Sequence, residues 1–381
     1  MSRTRHCPIR RVGGFRPPHC PNPECEFHLS ACGWRYVKRG SFVRPSDQRR
    51  IQAFRCSSCG RNFSHRTFSS TYWLRQRRLL LPIASWISEG PALRQMARVL
   101  KTSHATVMRH VARLGRQCML WHRNLLREHR LEEPIVFDGF ETFEYSQYFP
   151  FHAHLATGKD SWFLYHFTDS PLRRKGRMTR HQKKRRAQLE RELGRPDPKA
   201  IEKDIYALLA TLVPMQPRGK PWVLHSDDLE VYRRSIRRVK RKIEPKVSIE
   251  HRITPGSARR TKSNPLFPVN LADLLARHGN ANHRRETIAF SKRRQAAMER
   301  MAILAVWRNV IKRKSENGPP ESVAMELGLT KRLLYWKDIF KKRLFPGHSD
   351  LPTEWRTYYQ RRVNTRILGN RQRIHRLKFA F

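Results

Sequence analysis

The sequence predicts a multidomain α+β protein. A small metal-stapled β module should come first, then a pair of helices, then a mixed five-stranded sheet with helices, and last a helical C-terminal extension. Three observations carry that prediction. Cysteine pairs Cys20/Cys25 and Cys56/Cys59 stand within the first sixty residues. Two short helical patterns flank a polar break near Lys101-Thr102. From Glu133 onward, buried-strand patterns alternate with amphipathic helices, and two of those strands end at aspartates, Asp138 and Asp227.

Composition sets the partner class. The 381 residues carry a formal charge of +48, with 79 Lys and Arg against 31 acids. Such an imbalance repels itself unless a polyanion neutralises it, so nucleic acid is the first partner to consider. Hydrophobic residues at 39%, with nine tryptophans, suffice for real cores and exclude a purely disordered basic tail. The charge is uneven. Residues 1–130 hold five acids (Glu24, Glu26, Asp47, Glu89 and Glu128) against 26 Lys and Arg. No run of about 18 apolar residues and no signal-peptide pattern occurs, so a soluble, cytoplasmic and nucleoid-associated protein without a membrane partner is expected.

The first element is a zinc ribbon, residues 1–70. In Arg55-Cys56-Ser57-Ser58-Cys59-Gly60, two intervening residues let both thiolates reach one ion, and the glycine relieves the turn. Cys20 and Cys25 supply the other two ligands. His19 and His28 flank that pair as alternatives to Cys25. Alternating stretches at 34–40 and 51–55 read as short strands, and a structural Zn²⁺ replaces the core that some fifty residues cannot build. Seven cysteines with two metal-spaced pairs fit a reduced compartment better than a disulfide framework. Cys7, Cys32 and Cys118 have no spaced partner and read as packing residues.

The second element is a helix-turn-helix, residues 71–130. The stretch 92–100 has apolar residues at helical spacing, and Ser103 offers an N-cap to the helix that follows. With the second helix as the groove reader, Ser103, His104, Thr106 and Arg109 face bases or phosphates. An ordinary helical hairpin gives the same pattern; the adjoining ribbon and the scarcity of acids favour DNA.

The third element spans residues 131–312. Strands are expected at 134–137, 149–156 and 161–167, a helix at 198–212 and a strand at 221–226. A basic helix at 229–240, a strand at 246–253 and a further helix complete the series. The run 173–186, nine basic residues and no acid, reads as a solvated loop within an insertion at 171–197. Three strands, helix, strand, helix, strand, helix is the order of an RNase H-like domain. Asp138 and Asp227 would end neighbouring central strands. A third carboxylate from the last helix would close a site for two Mg²⁺ (or Mn²⁺) ions acting on a phosphodiester. Asp228, next to Asp227, reads as a helix N-cap. Arg284, Arg285, Lys292, Arg293 and Arg294 offer contacts to the DNA backbone or simply a solvated helix face. Residues 302–311 read as an apolar helix packed on the sheet, and residues 313–381 as a basic helical region.

The chain resembles insertion-sequence transposases with a DDE catalytic domain, in particular those whose ribbon and catalytic segments descend from separate reading frames. The resemblance rests on Arg55-Cys56-Ser57-Ser58-Cys59-Gly60 with Phe63 and Thr67-Phe68, on Ser226-Asp227-Asp228-Leu229-Glu230-Val231-Tyr232, and on Arg285-Glu286-Thr287-Ile288-Ala289-Phe290-Ser291-Lys292. It covers about residues 15–312, and the order of these short motifs carries it. The resemblance implies a Mg²⁺-dependent enzyme that binds the ends of a mobile element, cuts and joins DNA, and works as a homo-oligomer when synapsed. It also implies a third acid three residues after an asparagine. Here that is Asp273, after Asn270, with Glu286 as the alternative. The rival reading is a DNA-binding regulator with a silent RNase H-like domain. A structure-specific nuclease or an RNA-binding protein on the same scaffold is a third.

Overall fold

The computed structural model describes residues 15–45, 48–217, 219–243, 247–284 and 287–368. Cys7, Arg285 and Glu286 therefore lie outside the described residues.

The ribbon is a three-stranded antiparallel sheet: β1 (Tyr36–Val43), β2 (Arg50–Cys56) and β3 (Asn62–Ser64), in that spatial order. On β2, Phe54 and Cys56 are buried on one face while Arg55 between them stays in solvent, and Ile51 is buried on the opposite face. Gly40 adopts φ +66° where the β1–β2 register shifts, a backbone state that suits glycine. The ribbon's buried cluster is small: Cys20, Cys25, Cys56, Phe54 and Phe63, with the two phenylalanine rings stacked at 5.5 Å.

Three helices follow, α1 (Leu80–Ile87), α2 (Leu93–Val99) and α3 (His104–Leu125). The Ser103 hydroxyl accepts the Thr106 N–H at 3.1 Å, so the N-cap acts as the sequence indicates. α3 is far longer than a recognition helix needs. Its first turn is mostly exposed, but from His110 to Leu120 it is buried all round. Gln117 Nε2 donates to the Ile339 and Lys342 carbonyls, and Gly115 lies so close to Glu299 that an added Cβ would sit 2.5 Å from its carbonyl oxygen. One helix thus serves two environments. It offers a solvent-facing tip and forms a central strut of the main core.

The large sheet contains β4 (Ile135–Phe143), β5 (Pro150–Gly158) and β6 (Leu164–Pro171) as an antiparallel meander. Next come α4 (Arg180–Leu193), α5 (Ala200–Leu212), β7 (Trp222–Asp227), α6 (Glu230–Lys242), β8 (Ile249–Thr254) and α7 (Phe267–Gly279). The strand order is β6-β5-β4-β7-β8, and both β4–β7 and β7–β8 are parallel. The first strand in sequence therefore lies at the centre. The expected element series is present, but β4 does not end at Asp138. It runs on to Phe143 because Asp138 to Phe143 keep pairing with β5, so that aspartate lies inside the strand, and the insertion differs as well. The second half of the stretch read as a solvated loop is the start of helix α4, opened by a Thr179/Gln182 capping box, and Glu190 binds Arg173, Arg186 and Arg195. Good helix formers and one well-placed acid overcome the like-charge repulsion there.

The apolar run near 302–311 belongs to α8 (Arg294–Val306), buried on nearly every side, and to a π-turn at Trp307–Ile311. Beyond it, the segment expected to be helical is mostly irregular. Its helices are short: α9 (Val323–Glu326), α10 (Trp336–Ile339) and α11 (Thr353–Tyr359). It runs as a strap across the other parts. Trp355 Nε1 donates to the Phe167 carbonyl at 2.9 Å, the Tyr358 hydroxyl to Asp169 at 2.6 Å, and Ser70 Oγ to the Phe340 carbonyl at 2.7 Å. One apolar cluster consequently runs from Leu79 to Val363, apart from the ribbon's own.

Candidate metal centre and acidic site

The four expected cysteines converge. Cys20 and Cys25 come from the loop before β1, Cys56 from the end of β2, and Cys59 from the turn after it; their sulfurs all lie within 4.8 Å of one another. Cys20 Sγ lies 3.6 Å from Cys59 Sγ, and Cys25 Sγ 3.9 Å from Cys56 Sγ. Tetrahedral Zn–S bonds of about 2.3 Å place sulfurs about 3.8 Å apart, so the spacing fits a structural zinc and is far too long for disulfides. Each close pair takes one cysteine from each knuckle, which is how one ion ties the two loops together. Burial alone would raise the Cys56 thiol. The Cys59 N–H, the Trp34 indole N–H at 3.2 Å and the Ser58 N–H outweigh it and bring the thiol down to about 7, while burial raises Cys20 and Cys25. Gly60, at φ +68°, lets its N–H reach the Cys56 carbonyl. His19 and His28 take no place in this cluster. Cys118 is fully buried as a packing residue, whereas Cys32 is exposed and packs nothing, because it sits in the loop before Trp34 outside the aromatic cluster.

The acidic site is built by sheet register. In the parallel pair β4–β7, Val136 sits opposite His225, so two residues further along each strand Asp138 and Asp227 stand level and on one face. The Tyr232 hydroxyl, from the first turn of α6, donates to Asp138 Oδ1 at 2.9 Å. Sequence reasoning passed over Tyr232, although it sits five residues after Asp227 within a quoted motif. Asp227 Oδ1 accepts the Leu229 N–H at 3.1 Å.

Burial, then repulsion from Asp227 and more weakly from Asp273, raises Asp138 from its ordinary 3.8 to about 6, against the pull of the Gly139 N–H and Tyr232. Burial also raises Asp227, with Asp228 adding to it and the Leu229 N–H opposing it. Asp273 lies on α7, which packs on β4, and pairs with Arg277 at 2.9 Å; that guanidinium covers the Phe140 ring at 4.8 Å. Asp273 is thus near enough for Asp138 to feel its charge. Among the described residues, however, the three carboxylates do not form a group with all ligand atoms within 4.8 Å. Carboxylate oxygens are hard donors, the type that Mg²⁺ or Mn²⁺ takes.

The remaining site residues fall in different settings. Ser103, His104 and Arg109 are exposed on the first turns of α3, and Thr106 is half-buried against the Ser103 hydroxyl at 2.9 Å. Lys292 stacks over the Phe290 ring at 3.9 Å. Arg293 is the residue before α8 and is engaged in an interaction of its own. Arg294, offered above as a backbone contact, is buried and ion-paired with Asp169 at 3.0 Å, so it is spent inside the protein. Asp228 is not an N-cap either. α6 begins at Glu230 without a side-chain cap, and Asp228 pairs with Arg233.

No helix among the described residues is long and apolar enough to cross a membrane. No family model matches the chain, and no curated protein matches it. Among solved structures it is similar to a chain of the cryo-EM structure of the simian T-cell lymphotropic virus intasome in complex with PP2A regulatory subunit B56 gamma. The identity is 12% over 64% of this chain and 75% of that one. With a TM-score of 0.19, that likeness carries no argument about fold or function, so what stands is an α+β chain with a four-cysteine centre and a separate acidic site.

Proposed function

We propose that this chain is a metal-dependent DNA transposase: it binds the ends of a mobile element and cuts and joins DNA at Asp138, Asp227 and Asp273. The observation that carries the reading is the level placement of Asp138 and Asp227 on adjacent parallel strands at the centre of a β6-β5-β4-β7-β8 sheet. That order is the one an RNase H-like domain has. In this reading residues 1–70 are the zinc ribbon, 71–130 the helix-turn-helix, 131–312 the catalytic domain and 313–381 a basic C-terminal region.

Two Mg²⁺ or Mn²⁺ ions at these carboxylates would supply Lewis-acid stabilisation of charge building on the phosphate oxygens. The chain's own residues do the rest. Tyr232 holds Asp138 in one orientation through its hydroxyl, and the Leu229 N–H does the same for Asp227. Asp273 is held toward β4 by its pairing with Arg277. The ribbon and the tip of α3 supply the positive surface for duplex DNA, with His104 and Arg109 in solvent.

A second reading, a DNA-binding regulator with a silent acidic site, draws on the wider spacing of the three carboxylates and on the Arg277 charge beside Asp273. One experiment separates the two. Full-length protein is incubated with DNA from the flanks of its own gene and Mg²⁺ or Mn²⁺, and cleavage, joining and binding are scored together. The transposase reading expects cut and joined products that vanish in Asp227→Asn while binding persists. Arg109→Ala should weaken binding and lower the salt slope by about one. Binding without any cleavage by the unmodified protein favours the regulator; cleavage surviving Asp227→Asn overturns the site.

A further inference from the structure

Beside the four cysteines lies a second group of metal-ligating side chains, which neither the ribbon zinc nor the acidic site uses. His19 precedes Cys20, His28 closes the single turn after Cys25, and His348 arrives from the far end of the chain in the turn Pro346–His348. One ring nitrogen from each lies within 4.8 Å of the other two. The ring centroids are 4.3 Å apart for His19 and His348, 4.9 Å for His28 and His348, and 5.1 Å for His19 and His28.

The hydrogen bonds fix which nitrogens are free to bind. Nδ1 of His19 and Nδ1 of His28 both meet the Cys20 carbonyl, at 3.0 and 2.8 Å. A carbonyl only accepts, so each Nδ1 carries the proton and each Nε2 presents a lone pair. The His348 ring in turn bonds the His28 backbone. An imidazole whose N–H is anchored on a backbone carbonyl, with its other nitrogen turned elsewhere, is the usual arrangement of a metal-bound histidine. Nε2 of His28 and Nε2 of His348 are buried and have no hydrogen-bond partner. Leaving buried acceptors unsatisfied costs about 1–3 kcal/mol each unless something fills the role. The chain also closes tightly here: a Cβ on Gly347 would stand 2.6 Å from His28 Nε2, so only glycine lets the turn reach the ring.

We propose that His19, His28 and His348 form a second metal site that takes Zn²⁺ through three imidazole nitrogens, with water as the fourth ligand. The donor set is neutral nitrogen without thiolate or carboxylate, which suits borderline ions such as Zn²⁺ and disfavours Mg²⁺ and Ca²⁺. His19 is only half-buried, which leaves room for the water. Arg343 covers the neighbouring Phe345 ring, and Arg127 bonds the His348 carbonyl. Both charges oppose any cation, so the site rests on its ligand bonds rather than on the local field. Its consequence is mechanical. Two of the ligands belong to the ribbon and the third to the C-terminal strap, where Phe345 already packs against His19 at 4.9 Å and Phe68 at 5.6 Å. An ion there locks the ribbon to the body of the protein. This holds whether or not the chain cuts DNA.

The test uses the full chain, purified and dialysed against a weak chelator. Zinc per chain is measured, and the spectrum is recorded after cobalt(II) replacement. Two ions per chain are expected. His348→Asn should retain one, with the cysteine-to-cobalt charge-transfer bands intact and the weaker bands of a nitrogen-ligated ion gone. His19→Gln, on the half-buried ligand, should do the same and guards against a fold defect in the first variant, with near-ultraviolet circular dichroism as the control. Protease cleavage between the ribbon and α1 should become at least several-fold faster in both. One ion per chain in the unmodified protein, held by the cysteines alone, overturns the proposal. So does a second ion that survives both substitutions.

Discussion

The ribbon centre and the acidic site gather metal-ligating groups by opposite routes. The four sulfurs are brought within 4.8 Å by two local turns, and little else in the ribbon is buried. Asp138 and Asp227 are 89 residues apart in sequence and meet through the register of a parallel strand pair, inside a core that extends from Leu79 to Val363. The first site has so small a buried core that four converging thiols fit an ion holding the unit together. The second is held by packing that exists without an ion, so it can keep two half-buried acids close enough that burial and the Asp227 charge raise Asp138 to about 6. A small module binds metal to become stable, whereas a large one can carry an unstable charge arrangement and keep it for chemistry.

That difference can be broken from either side. The largest effect is expected at the ribbon. Cys56→Ser should abolish zinc binding there and unfold the ribbon, since structural zinc in small modules contributes on the order of 10–16 kcal/mol. Metal content and the rate of protease cleavage within the ribbon report the ribbon. Far-ultraviolet circular dichroism should still show the main body folding, and loss of the whole fold would show that the two parts are not independent.

The acidic site should respond in the opposite sense. A folded-state value of about 6, above the ordinary 3.8, means that Asp138 favours the folded state most when protonated, below about pH 4. That contribution is lost as pH rises through 6. Asp138→Asn should therefore stabilise the metal-free protein at pH 7 by on the order of 1–3 kcal/mol, with the gain shrinking as pH falls toward 4. Thermal unfolding in chelator at several pH values measures it, and a destabilised variant at pH 7 would refute the assignment of strain to this carboxylate. The smallest effect is expected at Tyr232. Its hydroxyl stabilises the ionised Asp138, so Tyr232→Phe should move the same pH window upward by less than about one unit, the worth of one hydrogen bond of about 1 kcal/mol. An unmoved window would mean that the hydroxyl does not act on Asp138.

The sequence was most legible where ligands and turns are local. Cys56-Ser57-Ser58-Cys59-Gly60 states its own geometry, and Ser103 marks the start of α3 because a cap acts within three residues. The strand series was legible from periodicity, although β6 begins at Leu164, three residues later than the pattern indicates, since Ser161 and Trp162 are taken up by a turn in which Glu133 binds the Ser161 hydroxyl. Long-range partnerships gave no local signal. Nothing near Arg294 announces that Asp169 will bury it, and nothing near Tyr232 announces Asp138.

By itself, then, the sequence determined the cysteine knuckles, the order of strands and helices, and the basic surface, because each depends on neighbours within a few residues or on composition alone. Only the tertiary structure decided which carboxylates stand level, how far Asp138 is displaced from its ordinary acidity, and that the described residues 313–368 strap the ribbon through His348 and are mostly irregular rather than helical. Those features depend on strand register and on contacts between residues hundreds of positions apart, and such contacts are selected by the whole core rather than by any one segment.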